Sequence, residues 1–160
     1  MQVSTHIRTA LGVVFVAIAL VPAAQATPAT QLSQSEQTLL GAVNDVRAAH
    51  NLRPLQVDAT LVRAARDYSA TLIRRNAFTH GALGARLASY GARGPLYGEN
   101  LAWGKGEQAT ARGIIRGWLA SPSHRANLLR PGWTRIGIGS RTGTFLGYAG
   151  ATVVTADFAG

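Results

Sequence analysis

Residues 135–158 read RIGIGSRTGTFLGYAGATVVTADF, and this C-terminal stretch carries the strongest information about fold class. Its two halves, residues 135–140 and 145–158, are rich in glycine and β-branched side chains, a composition typical of strands. Residues 141–144 (RTGT) have the composition of a turn, so we expect an antiparallel hairpin that turns there. Helical patterns precede the hairpin, and helices followed by a late hairpin indicate an α+β fold.

Two amphipathic helices are predicted in the first half of the chain. Ser33 and Glu36 have the spacing of a capping box, and an apolar stripe follows at helical spacing. This helix should end near His50-Asn51, where asparagine tolerates the left-handed conformation. Asp58 should cap the second helix. The apolar faces of the two helices comprise Leu39, Val43 and Val46, and Leu61, Ala65, Tyr68 and Leu72.

Shorter elements are predicted between these helices and the hairpin. A helix with a weaker apolar pattern is predicted around Leu87, and Glu99 to Trp103 is predicted to form a strand or an extended segment. Glu107 is expected to open a further helix whose buried face includes Trp118. Gly113 and Gly117 lie within that helix, where each glycine costs about 1 kcal/mol, and we expect them to allow close approach of another backbone.

The N-terminus has the pattern of a signal peptide. Residues 10–20 (ALGVVFVAIAL) are apolar and uncharged, and Ala24-Gln25-Ala26 is a small-x-small cleavage pattern. The apolar run is shorter than the about 20 residues needed by a spanning helix. We therefore predict cleavage near Ala26, a short lead over residues 27–35, one domain over residues 36–160, and a secreted or periplasmic location.

The amino-acid composition excludes some kinds of site and indicates what kind of partner the protein could bind. The chain has no cysteine, which excludes disulfides, thiolate metal sites and thiol catalysis. Its formal charge is +9, and Lys105 is the single lysine. Such a balance suits an anionic partner such as cell-wall polymer or lipid headgroups, or an arginine-rich solvated surface. Export argues against nucleic acid, and we expect no organic cofactor and a monomer.

Three histidines follow the predicted cleavage site. His50 ends the first helix, where a cation interacts favourably with the last carbonyl groups. His80 lies in a loop between an aromatic residue and a glycine, a common setting for a site residue. Ser121 and Pro122 place His124 in the first turn of a short helix. The positive end of the helix should keep His124 neutral near pH 7, as a metal ligand or general base requires.

Glu99 is a carboxylate in an apolar stretch, and burying it without a partner would be costly. It is either a structural carboxylate bonded to backbone amides or part of a site. His80, Glu99 and His124 are separated by 19 and 25 residues, so no local metal-ligand spacing joins them.

Several motifs occur in an order that resembles the CAP superfamily, which includes cysteine-rich secretory proteins, antigen 5 and plant pathogenesis-related proteins. The resemblance is to its bacterial, disulfide-free SCP-domain branch and covers about residues 36–158. The motifs are Asn44-x-x-Arg47 with Pro54-Leu55, Phe78-Thr79-His80, Gly98-Glu99-Asn100-Leu101-Ala102, Trp118-x-x-Ser121-Pro122-Ser123-His124-Arg125-x-Asn127-Leu128-Leu129, and Arg135-Ile136-Gly137-Ile138-Gly139.

The resemblance implies a three-layer α-β-α sandwich with a small antiparallel sheet and a central cleft. It implies that His80, His124 and Glu99 line that cleft and could hold zinc or another divalent cation, with Asn100 and Ser121 beside them. The family's second acidic residue is missing, because its position falls near Ser121.

Two imidazoles and one carboxylate can hold zinc with an open fourth position, but hydrolysis also needs a base or nucleophile beside the bound water. Ser69 and Ser123 are exposed candidates at best, and no catalytic residue is assigned. The first hypothesis is therefore a non-enzymatic binder of a lipid, sterol or other hydrophobic or cell-envelope ligand. A metal-dependent hydrolase of peptides or cell-wall material and a basic adhesin to anionic polymer are the alternatives.

Overall fold

The computed structural model describes residues 1–2 and 31–160. Apart from Met1 and Gln2, the predicted signal segment lies outside the described residues. Within the described part of the chain, no helix is long and apolar enough to cross a membrane. The elements in chain order are α1 (Gln34–Ala49), β1 (Gln56–Val57), α2 (Ala59–Arg75), α3 (Leu83–Ser89), β2 (Tyr97–Gly104), a 3₁₀ turn (Gly106–Ala109), α4 (Ala111–Ala120), α5 (Pro122–Leu128), β3 (Arg135–Phe145) and β4 (Tyr148–Ala159).

The start of α1 is a capping box, as predicted. The backbone N–H of Glu36 donates to Oγ of Ser33, and the backbone N–H of Ser33 donates to Oε2 of Glu36. Glu36 is buried, and it also accepts from Arg66 of α2 and from the backbone N–H of Ser140. One carboxylate therefore ties α1, α2 and β3 together. The predicted end of α1 is also confirmed, with Asn51 at φ 57°.

Helix α2 begins at the predicted cap, where Oδ1 of Asp58 accepts from two backbone N–H groups. It packs along β3, and two glycines of the RIGIG motif make this close approach possible. A Cβ at Gly137 would lie 2.1 Å from the carbonyl carbon of Leu61, and one at Gly139 would lie 2.1 Å from the backbone nitrogen of Arg66. Any larger residue would push the helix away from the sheet.

The sheet has the strand order β1-β3-β4-β2. Strands β2, β3 and β4 pair antiparallel, as expected, but β1 pairs in parallel with β3. The sheet is therefore mixed rather than purely antiparallel. The difference arises because the connection from α1 to α2 passes along the outer edge of β3 and adds two residues to it.

The hairpin turn differs from the prediction. Arg141 pairs with Val153, so the predicted turn at residues 141–144 is part of β3. The chain turns at Leu146 and Gly147, with φ values of 49° and 85°. The strand continues because Phe145 is buried in a cluster with Leu72 and neighbouring apolar side chains.

The helices cover both faces of the sheet, so the predicted α+β, three-layer α-β-α architecture is confirmed. Adjacent residues of β4 point to opposite faces: Val153 packs in a cluster with Leu72 of α2, and Val154 packs in a cluster with Ile114 of α4. The layer of α1, α4 and α5 covers the larger core. Its buried side chains are Leu39, Val43, Leu55, Ile114, Ile115, Trp118, Leu128, Trp133, Ile136, Ile138, Val154, Ala156 and Phe158.

Helix α4 begins later than predicted. Glu107 lies in the 3₁₀ turn, and Thr110 caps α4 by accepting the backbone N–H of Gly113 at 3.2 Å. The expected close backbone approach is confirmed at Gly113, where a Cβ would lie 2.4 Å from the carbonyl oxygen of Glu107. The same expectation is wrong at Gly117, since a Cβ there would meet no heavy atom within 4 Å.

Candidate functional site

His80 is presented by the loop between α2 and α3. The hydroxyl of Tyr68 donates to the carbonyl oxygen of Thr79 at 2.6 Å and so fixes the residue before the histidine. Gly81 follows at φ 58°, and a Cβ there would lie 2.8 Å from that hydroxyl. A glycine is therefore required for the loop to fold back on α2 and direct His80 towards the sheet.

Glu99 orients His80 from the neighbouring strand β2. Oε1 of Glu99 lies 2.7 Å from Nδ1 of His80, and the histidine side chain is 57% exposed whereas that of Glu99 is 1% exposed. Because this hydrogen bond uses Nδ1, Nε2 is the ring nitrogen that remains for a ligand.

Two charged residues that the sequence did not point to complete this cluster. Arg86 of α3 forms a two-pronged contact with the buried Asp157 of β4, at 2.8 and 3.0 Å, and its Nη2 also bonds Oε2 of Glu99. The guanidinium lies over the ring of Tyr68, 4.0 Å from its centroid. Both oxygens of Glu99 are thus occupied, one by His80 and one by Arg86.

The charge balance of the cluster is unusual, because two buried carboxyl groups share one guanidinium. Burial, and then the nearby Asp157, raise the pKa of Glu99 to about 8, against the opposing effect of Arg86. Burial also raises the pKa of Asp157. Arg86 donates two hydrogen bonds to Asp157 and one to Glu99. Asp157 is therefore the better stabilised carboxylate, and we assign the proton that the pair holds at neutral pH mainly to Glu99.

His124 lies across the cleft at the start of α5. The centroids of the His80 and His124 rings are 6.4 Å apart. Burial, and then the proximity of His80, lower the pKa of His124, which is the direction expected from the sequence. Ser121 precedes the helix as predicted, but its side chain makes no capping hydrogen bond.

The position of α5 is set by buried polar groups. Nδ2 of Asn100 donates to the carbonyl oxygen of His124 at 3.1 Å, and Nδ2 of Asn127 donates to Oδ1 of Asn100 at 3.0 Å. Arg47 of α1 is fully buried and donates to the carbonyl oxygen of Leu128 at 2.8 Å. Asn100 therefore lines the cleft while its amide group is engaged in holding the helix that carries His124.

Two adjoining cavities meet at His124. The first, here called the polar cleft, has a volume of about 270 Å³ and is lined by His80, Glu99, Asn100, Ser123, His124, Ala126, Asn127 and Arg130. The second, here called the apolar groove, has a volume of about 530 Å³ and runs between the β2 edge and α4. Its lining residues are Phe78, Leu101, Ala102, Trp103, Gln108, Gly113, Ile114, Gly117, Trp118, Ser121 and His124.

Four of the five predicted cleft residues, His80, Glu99, Asn100 and His124, line the polar cleft, and Ser121 lines the groove instead. The expectation that Ser69 is exposed is wrong. Its side chain is buried and bonds the carbonyl oxygen of Gly139 and the hydroxyl of Thr155, because it faces the sheet from α2.

The donor set only partly fits a zinc ion. Within residues 1–2 and 31–160, no group of three or more His, Asp or Glu side chains is arranged to hold a metal. Both oxygens of Glu99 are engaged, so the side chains left for direct ligation are the two imidazoles. A carboxylate bonded to the far nitrogen of a ligating histidine is a common outer partner in zinc sites, and Glu99 has that position.

An α-β-α sandwich whose cleft places two histidines beside a buried carboxylate defines the class of this protein. Residues 40–158 match the model of the CAP family, described as the cysteine-rich secretory protein family. The chain belongs to this family.

Two Bacillus subtilis relatives are similar in sequence. The uncharacterized protein YkwD is 33% identical over 115 residues, which are 69% of this chain and 44% of the relative. The uncharacterized membrane protein YlbC is 31% identical over 110 residues, which are 66% of this chain and 31% of the relative. The chain thus spans less than half the length of both of these curated relatives.

Solved structures share the fold. An extracellular protein containing an SCP domain from Bacillus anthracis has a TM-score of 0.65 and 29% identity, over 78% of this chain and 40% of that one. An outer surface protein from Borrelia burgdorferi has a TM-score of 0.65 and 24% identity, over 78% of this chain and 91% of that one. The second likeness shows the fold alone.

Proposed function

We propose that this protein is an exported, non-enzymatic binder of an amphipathic cell-envelope ligand. The observation that carries the proposal is that His124 lines both cavities. A ligand could then place its polar group in the polar cleft and its apolar chain along the groove without a break between them. Export rests on the predicted signal peptide together with the likeness to an extracellular SCP-domain protein.

The groove has the features of a site for an apolar chain. Its volume of about 530 Å³ falls in the range of about 300–1,000 Å³ typical of small-ligand sites. Trp103 and Phe78 line the groove together with Gly117 of α4. Gly117 in particular leaves open space where other helices would carry a side chain.

The polar cleft has the features of a site for a polar or anionic group. Nε2 of His80 is available, and Arg130 adds a cationic side chain to the lining. Arg130 makes no salt bridge within the described residues, and its guanidinium lies 5.3 Å from the ring centroid of Trp133. A carboxylate or phosphate headgroup would complement these donors.

The proposal is tested with a substitution that fills the groove without disturbing the core. Binding of palmitic acid carrying a fluorophore is compared between the parent chain and Gly117→Leu, which places a side chain in open space. The variant should bind at least about tenfold more weakly, a loss of about 1.4 kcal/mol. Gly41→Leu is the matched control, because Gly41 is another exposed helical glycine with open space around its Cβ position. Equal binding by all three chains, or no saturable binding by the parent, contradicts the proposal.

A hydrolase is the second candidate, and the His80–Glu99 hydrogen bond favours it. A histidine oriented by an ionised carboxylate is a suitable general base, so this activity should rise as Glu99 loses its proton near pH 8. Ser123 lines the same cleft. Hydrolysis of ester or peptidoglycan substrates that is abolished in His80→Ala but retained in His50→Ala would support this function. Absence of turnover with and without added zinc would exclude it for those substrates.

A further inference from the structure

Most of the exposed large apolar side chains of the domain lie together at one end of the sheet. Among residues 31–160 these side chains are Val57, Phe78, Leu146 and Tyr148. The last three are 42%, 41% and 55% exposed and belong to the β3–β4 hairpin tip and the loop after α2. We call Phe78, Leu146 and Tyr148 the apolar tip.

Two residues of the apolar tip, Phe78 and Tyr148, pack on the same aromatic cluster. The ring of Phe78 contacts the buried Phe145, with centroids 6.3 Å apart, and Trp103 contacts both Phe145 and Tyr148 at 5.6 and 5.5 Å. Oδ1 of Asn76 accepts the backbone N–H of Leu146 at 2.6 Å. The hairpin and the Phe78 loop are therefore held in a fixed relation to each other.

Leu146 occupies a position that ordinary turn chemistry disfavours. Leu146 and Gly147 both have positive φ, at 49° and 85°, which is the pattern of a type I′ turn and strongly favours Asn-Gly or Gly-Gly. Leucine adopts the left-handed region rarely and at a cost. The side chain of Leu146 is also exposed to water. Neither turn formation nor core packing therefore explains why a leucine occupies this position.

The surroundings of the apolar tip are basic. Arg74 and Arg75, in the last turn of α2, are exposed and precede Asn76, and Lys105 follows the end of β2 that carries Trp103. None of the three forms a salt bridge within the described chain. The acidic residue nearest in sequence to Lys105 is Glu107, and it is paired with Arg116 at 3.0 Å.

We propose that the apolar tip docks this domain onto an anionic lipid surface, with Leu146 entering the interface and Arg74, Arg75 and Lys105 facing the headgroups. Exposed apolar side chains combined with basic residues are the two signals that together give stable peripheral membrane binding. Phe78 and Trp103 also line the apolar groove, so docking would bring the groove mouth to the lipid. Only this supply of ligand rests on the proposed function; the docking itself does not.

The chain has no cysteine, so one introduced thiol gives a single labelling site. The full chain carrying Leu146→Cys is labelled with nitrobenzoxadiazole and mixed with vesicles of phosphatidylcholine, with or without phosphatidylglycerol. The emission should shift to the blue and become quenchable by nitroxide lipids, mainly with anionic vesicles and less at high salt. Gly41→Cys on α1 is the matched control. Its label should keep an aqueous emission even if the N-terminal residues of the full chain bind the vesicles.

Two further variants keep the outcome decisive. Replacing both Arg74 and Arg75 by serine in the labelled chain should weaken the shift, and Gly117→Leu should leave it unchanged. An emission at position 146 that stays aqueous, or that matches the control at position 41, overturns the proposal. Failure of palmitate binding with a normal shift at position 146 would instead overturn only the proposed function.

Discussion

Glu99 and Asp157 lie directly opposite each other on the antiparallel strands β2 and β4 and share the guanidinium of Arg86. Two like charges at opposed positions of a sheet repel each other, and both side chains are buried. The positive charge of Arg86 offsets this repulsion, and the partial protonation of Glu99 reduces it further. The orientation of His80 therefore depends on a charge cluster that extends through the sheet to α3.

This cluster predicts a pH-dependent stability. Because the pKa of Glu99 is raised from 4.5 to about 8 in the folded state, the folded protein binds this proton more tightly than the unfolded chain. The resulting stabilisation is complete below pH 4.5 and is lost as the pH rises through about 8.

Glu99→Gln, which mimics the protonated side chain, should remove this slope. Urea unfolding across the window should show the free energy of unfolding of the parent falling relative to that of the variant as pH rises. Asp45→Asn removes an exposed carboxyl group and is the control. Parallel pH profiles for the parent and Glu99→Gln would show that Glu99 is ionised throughout.

The glycines of the RIGIG motif should not tolerate replacement even by alanine. Gly139→Ala would place a methyl group 2.1 Å from the backbone nitrogen of Arg66, so α2 must move away from the sheet. The cost should be about 3 kcal/mol or more. Gly41→Ala, in open space within α1, should instead stabilise by about 0.5–1 kcal/mol. Thermal unfolding of both variants measures the contrast, and a mild effect at Gly139 would place α2 further from β3 than described.

Zinc titration separates direct ligands from the outer partner. With two imidazoles as ligands, binding should be weaker than the about 10–16 kcal/mol of closed structural zinc sites. It should be abolished in His80→Ala and in His124→Ala and unchanged in His50→Ala. Glu99→Gln should change it little at neutral pH, where Glu99 of the parent holds a proton. Above pH about 8 the parent carries an ionised outer partner, and the variant should bind more weakly by about 10- to 100-fold. Calorimetric heat that survives loss of either cleft histidine would locate the metal elsewhere.

The turn at Leu146 predicts a stability gain on substitution. Leu146→Asn should raise the free energy of unfolding by about 1 kcal/mol, because asparagine tolerates the left-handed conformation. The same variant should lose the vesicle interaction proposed for the apolar tip. A destabilised Leu146→Asn protein would indicate that the leucine side chain packs usefully against the folded domain.

Local sequence signals predicted α1, α2 and the strand β2, because caps and periodic apolar residues depend on nearby residues alone. The motif resemblance identified His80, Glu99 and His124, which the fold brings to one cleft. The turn of the hairpin was predicted wrongly, since residues 141–144 have turn composition whereas the real turn begins with an atypical leucine. The burial of Phe145, which favours a longer strand, depends on residues distant in sequence.

Arg86 and Asp157 could not be recognised for the same reason. They are 71 residues apart, and each alone resembles one of the many solvated charges of a basic chain. One signal was present: Asp157 interrupts an otherwise apolar strand, as Glu99 does. An acidic residue within each of two predicted strands indicates a buried partner of opposite charge.

The three tryptophans report on whether a ligand spans the polar cleft and the apolar groove. Trp103 and Trp118 line the groove, whereas Trp133 lies outside both cavities with its indole N–H bonded to Asn127. The measurement is the line width of the three indole N–H signals in NMR spectra with palmitic acid carrying a nitroxide at its tail end. A ligand that spans both cavities should broaden the signals of Trp103 and Trp118 selectively, while that of Trp133 stays sharp. Uniform line widths, or broadening of Trp133 as strong as that of Trp103, would contradict the proposed binding.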